Sequence, residues 1–106
     1  MKRLAAAALL LATPLLAAVP AAPAGAADAQ NGRAIAERWC AACHVVAEGR
    51  SGSDAAPPLP QIARNRAADQ RWLRAWLTDP HPPMPNLNLS RSDIDDVVAY
   101  LERLAR

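Results

Sequence analysis

Cys40-Ala41-Ala42-Cys43-His44 reads C-x-x-C-H, and the rest of the chain is read outward from it. A run of this form is the attachment signature of a c-type haem. Its two thiols can add across the two vinyl groups on one porphyrin edge, which makes two thioether bonds. Two intervening residues on a helical turn bring both sulfurs to that edge. His44 then lies under the ring, where its imidazole can serve as the proximal iron ligand. Two other chemistries use a C-x-x-C pair. A thioredoxin-type disulfide belongs in a βαβ context, and no strand-like run precedes Cys40. A zinc site needs four ligands, usually with a second Cys or His pair, and beyond the pentapeptide only His81 remains of those residue types.

The N-terminal residues read as an address rather than as fold. Lys2 and Arg3 are followed by an apolar run over residues 4–16, interrupted by Thr13 and Pro14. Ala24-Gly25-Ala26 fits a small-residue cleavage site. Residues 1–26 are therefore expected to be a cleaved secretory signal peptide, and residues 27–106 a single mature domain in the periplasm. Pro14, Pro20 and Pro23 break the apolar stretch, which is short for a membrane span, so no span is expected after cleavage. There is no cysteine beside the cleavage site to carry a lipid.

The formal charge of +2 comes wholly from Lys2 and Arg3, so the mature chain is formally neutral. Neutralising phosphates needs a net basic face, which excludes a nucleic-acid partner from the expectations. A mature chain of about 80 residues buries a thin core and usually needs a staple, a metal or a cofactor. With no Phe and one Tyr, large apolar side chains are scarce. A covalently held haem would fill that gap, and the apo chain is expected to fold poorly.

The mature chain reads as all-α: four helical segments and two proline-rich loops, with no period-two alternation. The first segment spans residues 28–43, capped by Asp28 or Asn31. It carries Ile35 and Trp39 on one face, with Ala36 and Cys40 beside them. Gly32 would let another backbone or a ring approach closely. Residues 45–60 read as a loop, in which Pro57, Pro58 and Pro60 stop regular structure. A carbonyl near Pro57 is the expected partner for the second ring nitrogen of His44. Residues 61–63 suggest a short helix. Residues 67–77 form a firmer one, with Trp72, Leu73, Trp76 and Leu77 in a stripe toward haem or core. An indole N–H of Trp72 or Trp76 could meet a haem propionate. The last helix opens on a capping box, Ser90 with Asp93, flanked by Leu89 and Ile94 as a hydrophobic staple. Ile94, Val97, Val98, Leu101 and Leu104 share its apolar face to about residue 105. Asp95, Asp96 and Glu102 are expected to point outward into solvent.

Pro80-His81-Pro82-Pro83-Met84-Pro85 is the second informative stretch. Its prolines fix φ and leave the loop little freedom. A preset loop offsets the ordering cost of a weak thioether ligand, so Met84 is expected as the distal iron ligand. A methionine filling a core gap is the competing role. His81 is the rival ligand, through a bis-histidine site, or a surface residue.

C-A-A-C-H early in the mature chain, then P-P-M-P, then L-S-x-x-D-I-x-x-V-V-A-Y-L, resembles the bacterial class I monohaem cytochromes c over the whole mature chain. That resemblance implies three to five helices wrapped round one covalent haem c. It implies first and last helices that cross at a glycine and an aromatic, where Gly32 and Tyr100 match. It implies His44 and Met84 as axial ligands and Pro57 as the proline beside the proximal histidine. The order of motifs differs from the four-helix-bundle cytochromes, whose haem motif lies near the C-terminus. One departure is the absence of lysine from the mature chain, so basic docking would fall to Arg33, Arg50, Arg64, Arg66, Arg71 or Arg74. The expected function is a periplasmic electron carrier rather than an enzyme, docking briefly with a redox donor and an acceptor. Two alternatives stand beside it. One is the cytochrome subunit of a periplasmic dehydrogenase. The other is a ligand-binding haem protein, which would need an open iron position.

Overall fold

The computed structural model describes residues 18–21, 23, 25–49, 51–79 and 81–106. Lys2, Arg3, the apolar run 4–16 and Ala24, on which the signal-peptide expectation rests, lie outside the described residues, as do Arg50 and Pro80. The chain is mostly helical. Helix α1 (Ala29–Ile35) runs directly into a π-helical turn (Ala36–Cys40). Strands β1 (Val45–Ala47) and β2 (Ser51–Gly52) follow, then α2 (Leu59–Arg66), α3 (Gln70–Thr78) and α4 (Arg91–Leu104).

Side chains near each start explain where the helices begin. Asp28 accepts from the Gln30 backbone N–H at 2.8 Å and opens α1. Asp69 accepts from the Trp72 N–H at 3.0 Å, so α3 starts at Gln70, not at residue 67. At α4 both arms of the capping box form: Asp93 N–H donates to Ser90 Oγ at 3.1 Å, and Ser90 N–H to Asp93 Oδ2 at 3.0 Å. Pro60 does not stop the chain as expected. It sits in the first turn of α2, where a missing N–H has no intrahelical partner to lose, and the helix runs from Leu59 to Arg66. Nor are residues 45–60 all loop. Val45 pairs with Gly52 and Ala47 with Ser51 in a small antiparallel hairpin. Strands this short show no alternation in the sequence.

Helix α4 is the hub, packed against α1, α2 and α3. Its Ile94, Val97, Val98, Tyr100 and Leu101 are buried with Ala36, Cys40, Val46, Leu59, Ala63 and Leu73. The crossing of α1 with α4 is backbone to backbone: a β-carbon built on Gly32 would lie 1.9 Å from the Asp96 carbonyl oxygen. The atoms nearest that glycine are thus the Asp96 and Val97 main chain. The Tyr100 hydroxyl donates instead to the Val46 carbonyl at 2.6 Å and ties α4 to β1.

This tight crossing decides which face of the first helix is inside. Gly32, Ala36 and Cys40 are buried, because only small side chains fit there. Ile35 is half-buried, and Trp39 is 51% exposed with the Arg38 guanidinium 4.9 Å from its ring centroid. The three acids expected to face solvent are joints between helices. Asp96 accepts from the Asp28 N–H at 2.6 Å and from Asn31 Nδ2 at 2.7 Å. Asp95 pairs with Arg74 at 2.7 Å, and Glu102 accepts from the Gln70 side chain.

Candidate functional site

The C-x-x-C-H run sits where the π-helical turn unwinds. Within that turn the Ala41 N–H reaches back five residues to the Ala36 carbonyl at 3.1 Å. The N–H groups of Cys43 and His44 then both point to the Cys40 carbonyl, at 3.1 and 2.9 Å. One turn thereby presents Cys40 to the core and Cys43 to the outside, with His44 half-buried between the two environments. Both thiols are free. Burial pushes the Cys40 thiol pKa up, so it is held as the neutral thiol.

The carbonyls that end this helix need partners, and the following loop supplies them. Ser53 N–H reaches the Ala41 and His44 carbonyls at 3.1 and 3.2 Å, and Ala56 N–H reaches the Cys43 carbonyl at 2.7 Å. Gly52, at φ +108°, lies against the same main chain: a β-carbon there would be 2.0 Å from the His44 carbonyl oxygen. Only glycine satisfies both conditions. The loop then brings Pro57 under the imidazole, with His44 Nδ1 2.6 Å from the Pro57 carbonyl oxygen. A carbonyl can only accept, so Nδ1 carries the proton and Nε2 keeps its lone pair. That is the tautomer a metal-binding imidazole needs.

Met84 belongs to a second group. Residues 81–84 form a turn in which the Met84 N–H meets the His81 carbonyl at 3.1 Å. His81 Nδ1 lies 2.8 Å from the Asp79 carbonyl, and His81 Nε2 lies 3.1 Å from Met84 Sδ. The His81 ring packs on Trp76 with centroids 3.8 Å apart, and Trp76 stacks on Trp72 at 4.9 Å. Arg66 caps this column, its guanidinium 4.5 Å from the Trp72 centroid. Trp72 is half-buried, whereas Trp76 is 45% exposed. Trp72 and Leu77 therefore pack against the core beside buried Leu73, while Trp76 of the same helix faces His81 and solvent.

The named residues thus fall into two sets: Cys40, Cys43, His44 and Pro57, and Trp72, Trp76, His81 and Met84. The close pairing of His81 with Met84 was not read from the sequence, although two prolines between them spell a four-residue turn that brings its ends together. The donor set fits haem c. It offers two free thiols on one turn, an imidazole with a bare Nε2, and a soft thioether on a proline-bounded loop. Of the arginines expected to serve docking, Arg33, Arg64 and Arg74 are ion-paired within the chain, to Glu37, Glu48 and Asp95. Among the described residues no helix is long and apolar enough to cross a membrane.

Comparison with known proteins converges on the same chemistry. Residues 27–101 match the family described as cytochrome C oxidase, cbb3-type, subunit III. Over 80 residues the chain is 44% identical to cytochrome c-552 of Bradyrhizobium diazoefficiens, covering 74% of this chain and 77% of that protein. No solved structure matches.

Proposed function

The chain belongs to the cytochrome c family, haem proteins of electron transfer, and on that premise we propose that it is a periplasmic monohaem electron carrier with His44 and Met84 as axial ligands. The observation that carries this reading is the His44 Nδ1 contact with the Pro57 carbonyl, next to two free thiols on one turn. When bound, the haem supplies a one-electron iron couple. Everything else falls to the chain. Cys40 and Cys43 would hold the porphyrin edge through thioethers. The Pro57 carbonyl fixes the orientation and basicity of the His44 ring. Met84 offers a sulfur that favours the ferrous state and raises the potential. With both ligands held in place, a change of charge at the iron would move little, which would favour fast transfer. The expected signal peptide, residues 1–26, would export the chain to the periplasm.

A second reading is a fixed subunit of a larger redox complex, favoured by the oxidase-subunit description of the matched family. The two readings share one site and differ in partner lifetime. Stoichiometric co-purification of a larger subunit supports the second, and a carrier that purifies alone supports the first.

The test is spectroscopic. Periplasmic protein from an expressing cell should keep its haem after denaturation, and Cys40→Ala/Cys43→Ala should not. The ferric form should show the far-red charge-transfer band of a sulfur–iron bond, and Met84→Ala should lose it. A wild type without that band overturns Met84 ligation.

A further inference from the structure

We infer that His81 is a reserve iron ligand, poised to take the sixth position through Nε2 when the Met84 sulfur leaves it. The inference rests on the axial reading proposed above and adds a second occupant for the distal side.

The case begins with the tautomer. The Asp79 carbonyl can only accept, so the proton of neutral His81 is on Nδ1. Nε2 is then a bare lone pair, 3.1 Å from Met84 Sδ, which also has only lone pairs to offer. In that tautomer no hydrogen lies between them. Two donor atoms side by side without a proton make poor partners for each other, and good alternatives for one electron-pair acceptor.

The surroundings of His81 repeat those of His44. Each ring gives Nδ1–H to a backbone carbonyl, at 2.8 Å and 2.6 Å, and each keeps Nε2 free. This is the orientation that second-sphere carbonyls impose on metal-binding imidazoles. Trp76 holds the other face of the His81 ring, so the imidazole is already ordered. Trp76, Leu77 and Leu89 line the same crevice as His81 and Met84. Because the two donors sit three residues apart in one turn, exchanging them moves a loop and not a helix.

Four holoproteins test this at about pH 8, which keeps the added free imidazole neutral: wild type, Met84→Ala, His81→Ala, and the double variant. The wild type and His81→Ala should both show the ferric far-red band. Met84→Ala should lose it but stay low-spin by electron paramagnetic resonance. The double variant should be high-spin. Added free imidazole should then bind the double variant about tenfold or more tightly than Met84→Ala, because a tethered ligand competes at high effective concentration. A high-spin Met84→Ala with the imidazole affinity of the double variant overturns the reserve ligand and leaves the His44/Met84 reading standing. A wild type without the far-red band that turns high-spin as His81→Ala overturns both, since His81 is then the resident ligand. Far-ultraviolet circular dichroism checks that each variant folds. Met84→Ser replaces Met84→Ala, with the same outcomes, if the alanine form loses its helix signal.

Discussion

His44 and His81 are gripped alike and held very differently. Both rings donate Nδ1–H to a main-chain carbonyl. The carbonyl under His44 belongs to Pro57, thirteen residues on, at the end of a loop tied down by Ser53, Ala56 and Gly52. The hairpin beside that loop is tied in turn to α4 by Tyr100, 54 residues from Val46. The carbonyl under His81 belongs to Asp79, two residues back, and its other partners are Met84 and Trp76. One histidine is positioned by the whole fold and the other by a single turn. Proteins open locally with free energies far below that of global unfolding, and such local turns are where they open. The proximal ligand should therefore leave only with the fold, and the distal ligand should exchange while the fold persists.

The largest way to break this contrast is Gly32→Val. Its side chain would enter the Asp96 main chain, and the crossing that supports the proximal side would have to part. A loss of about 3 kcal/mol or more is expected in urea unfolding. A loss under about 1 kcal/mol would show that the crossing is looser than the geometry says. Tyr100→Phe comes next. It leaves the buried Val46 carbonyl without its partner and should cost about 1–2 kcal/mol, with the far-red band intact.

Ser90→Ala should cost about 1 kcal/mol by removing the cap of α4. The same box gives a pH signature. Ser90, by its side chain first and its backbone N–H second, holds the Asp93 carboxyl below the ordinary range. A depressed carboxyl contributes stability that is fully present above its unfolded value, near 4. That stability is lost as pH falls through the folded value. In Ser90→Ala the decline in stability below about pH 4 should be shallower than in wild type, as acid titration of the helix signal will show. The smallest effect on stability belongs to Trp76→Ala, within about 0.5 kcal/mol because the ring is a surface group. It should nonetheless loosen His81 and let Met84→Ala/Trp76→Ala bind free imidazole more readily than Met84→Ala alone. Equal binding would show that Trp76 does not order the reserve ring.

What the sequence disclosed follows the same division between near and far. The capping box of α4, its apolar face and the turn of the pentapeptide depend on residues within one or two turns, and all are found. The carbonyl for His44 was legible because a histidine ligand needs a second-sphere acceptor and Pro57 stood in the loop that follows. The misplaced features depend on distant partners. Trp39 turned outward because Gly32 packs on a main chain 64 residues away. Asp95, Asp96 and Glu102 looked like a solvated stripe until α1 and α3 arrived with Arg74, Asn31 and Gln70. Pro60 is a breaker or a helix starter according to which side the helix lies on.

The π-helical turn has a consequence for insertions and deletions. It places five residues, Ala36–Cys40, where an α-helix would close its hydrogen bond with four. Removing one residue inside it, such as Glu37, would let the turn close as α-helix and leave Gly32 and the pentapeptide in nearly the same relative rotation. Removing one residue from Ala29–Ile35 would instead turn everything upstream of the cut by about 100° against the rest. The chain thus carries one spare residue at the single place on this helix where length can change without swinging its N-terminal end away from α4.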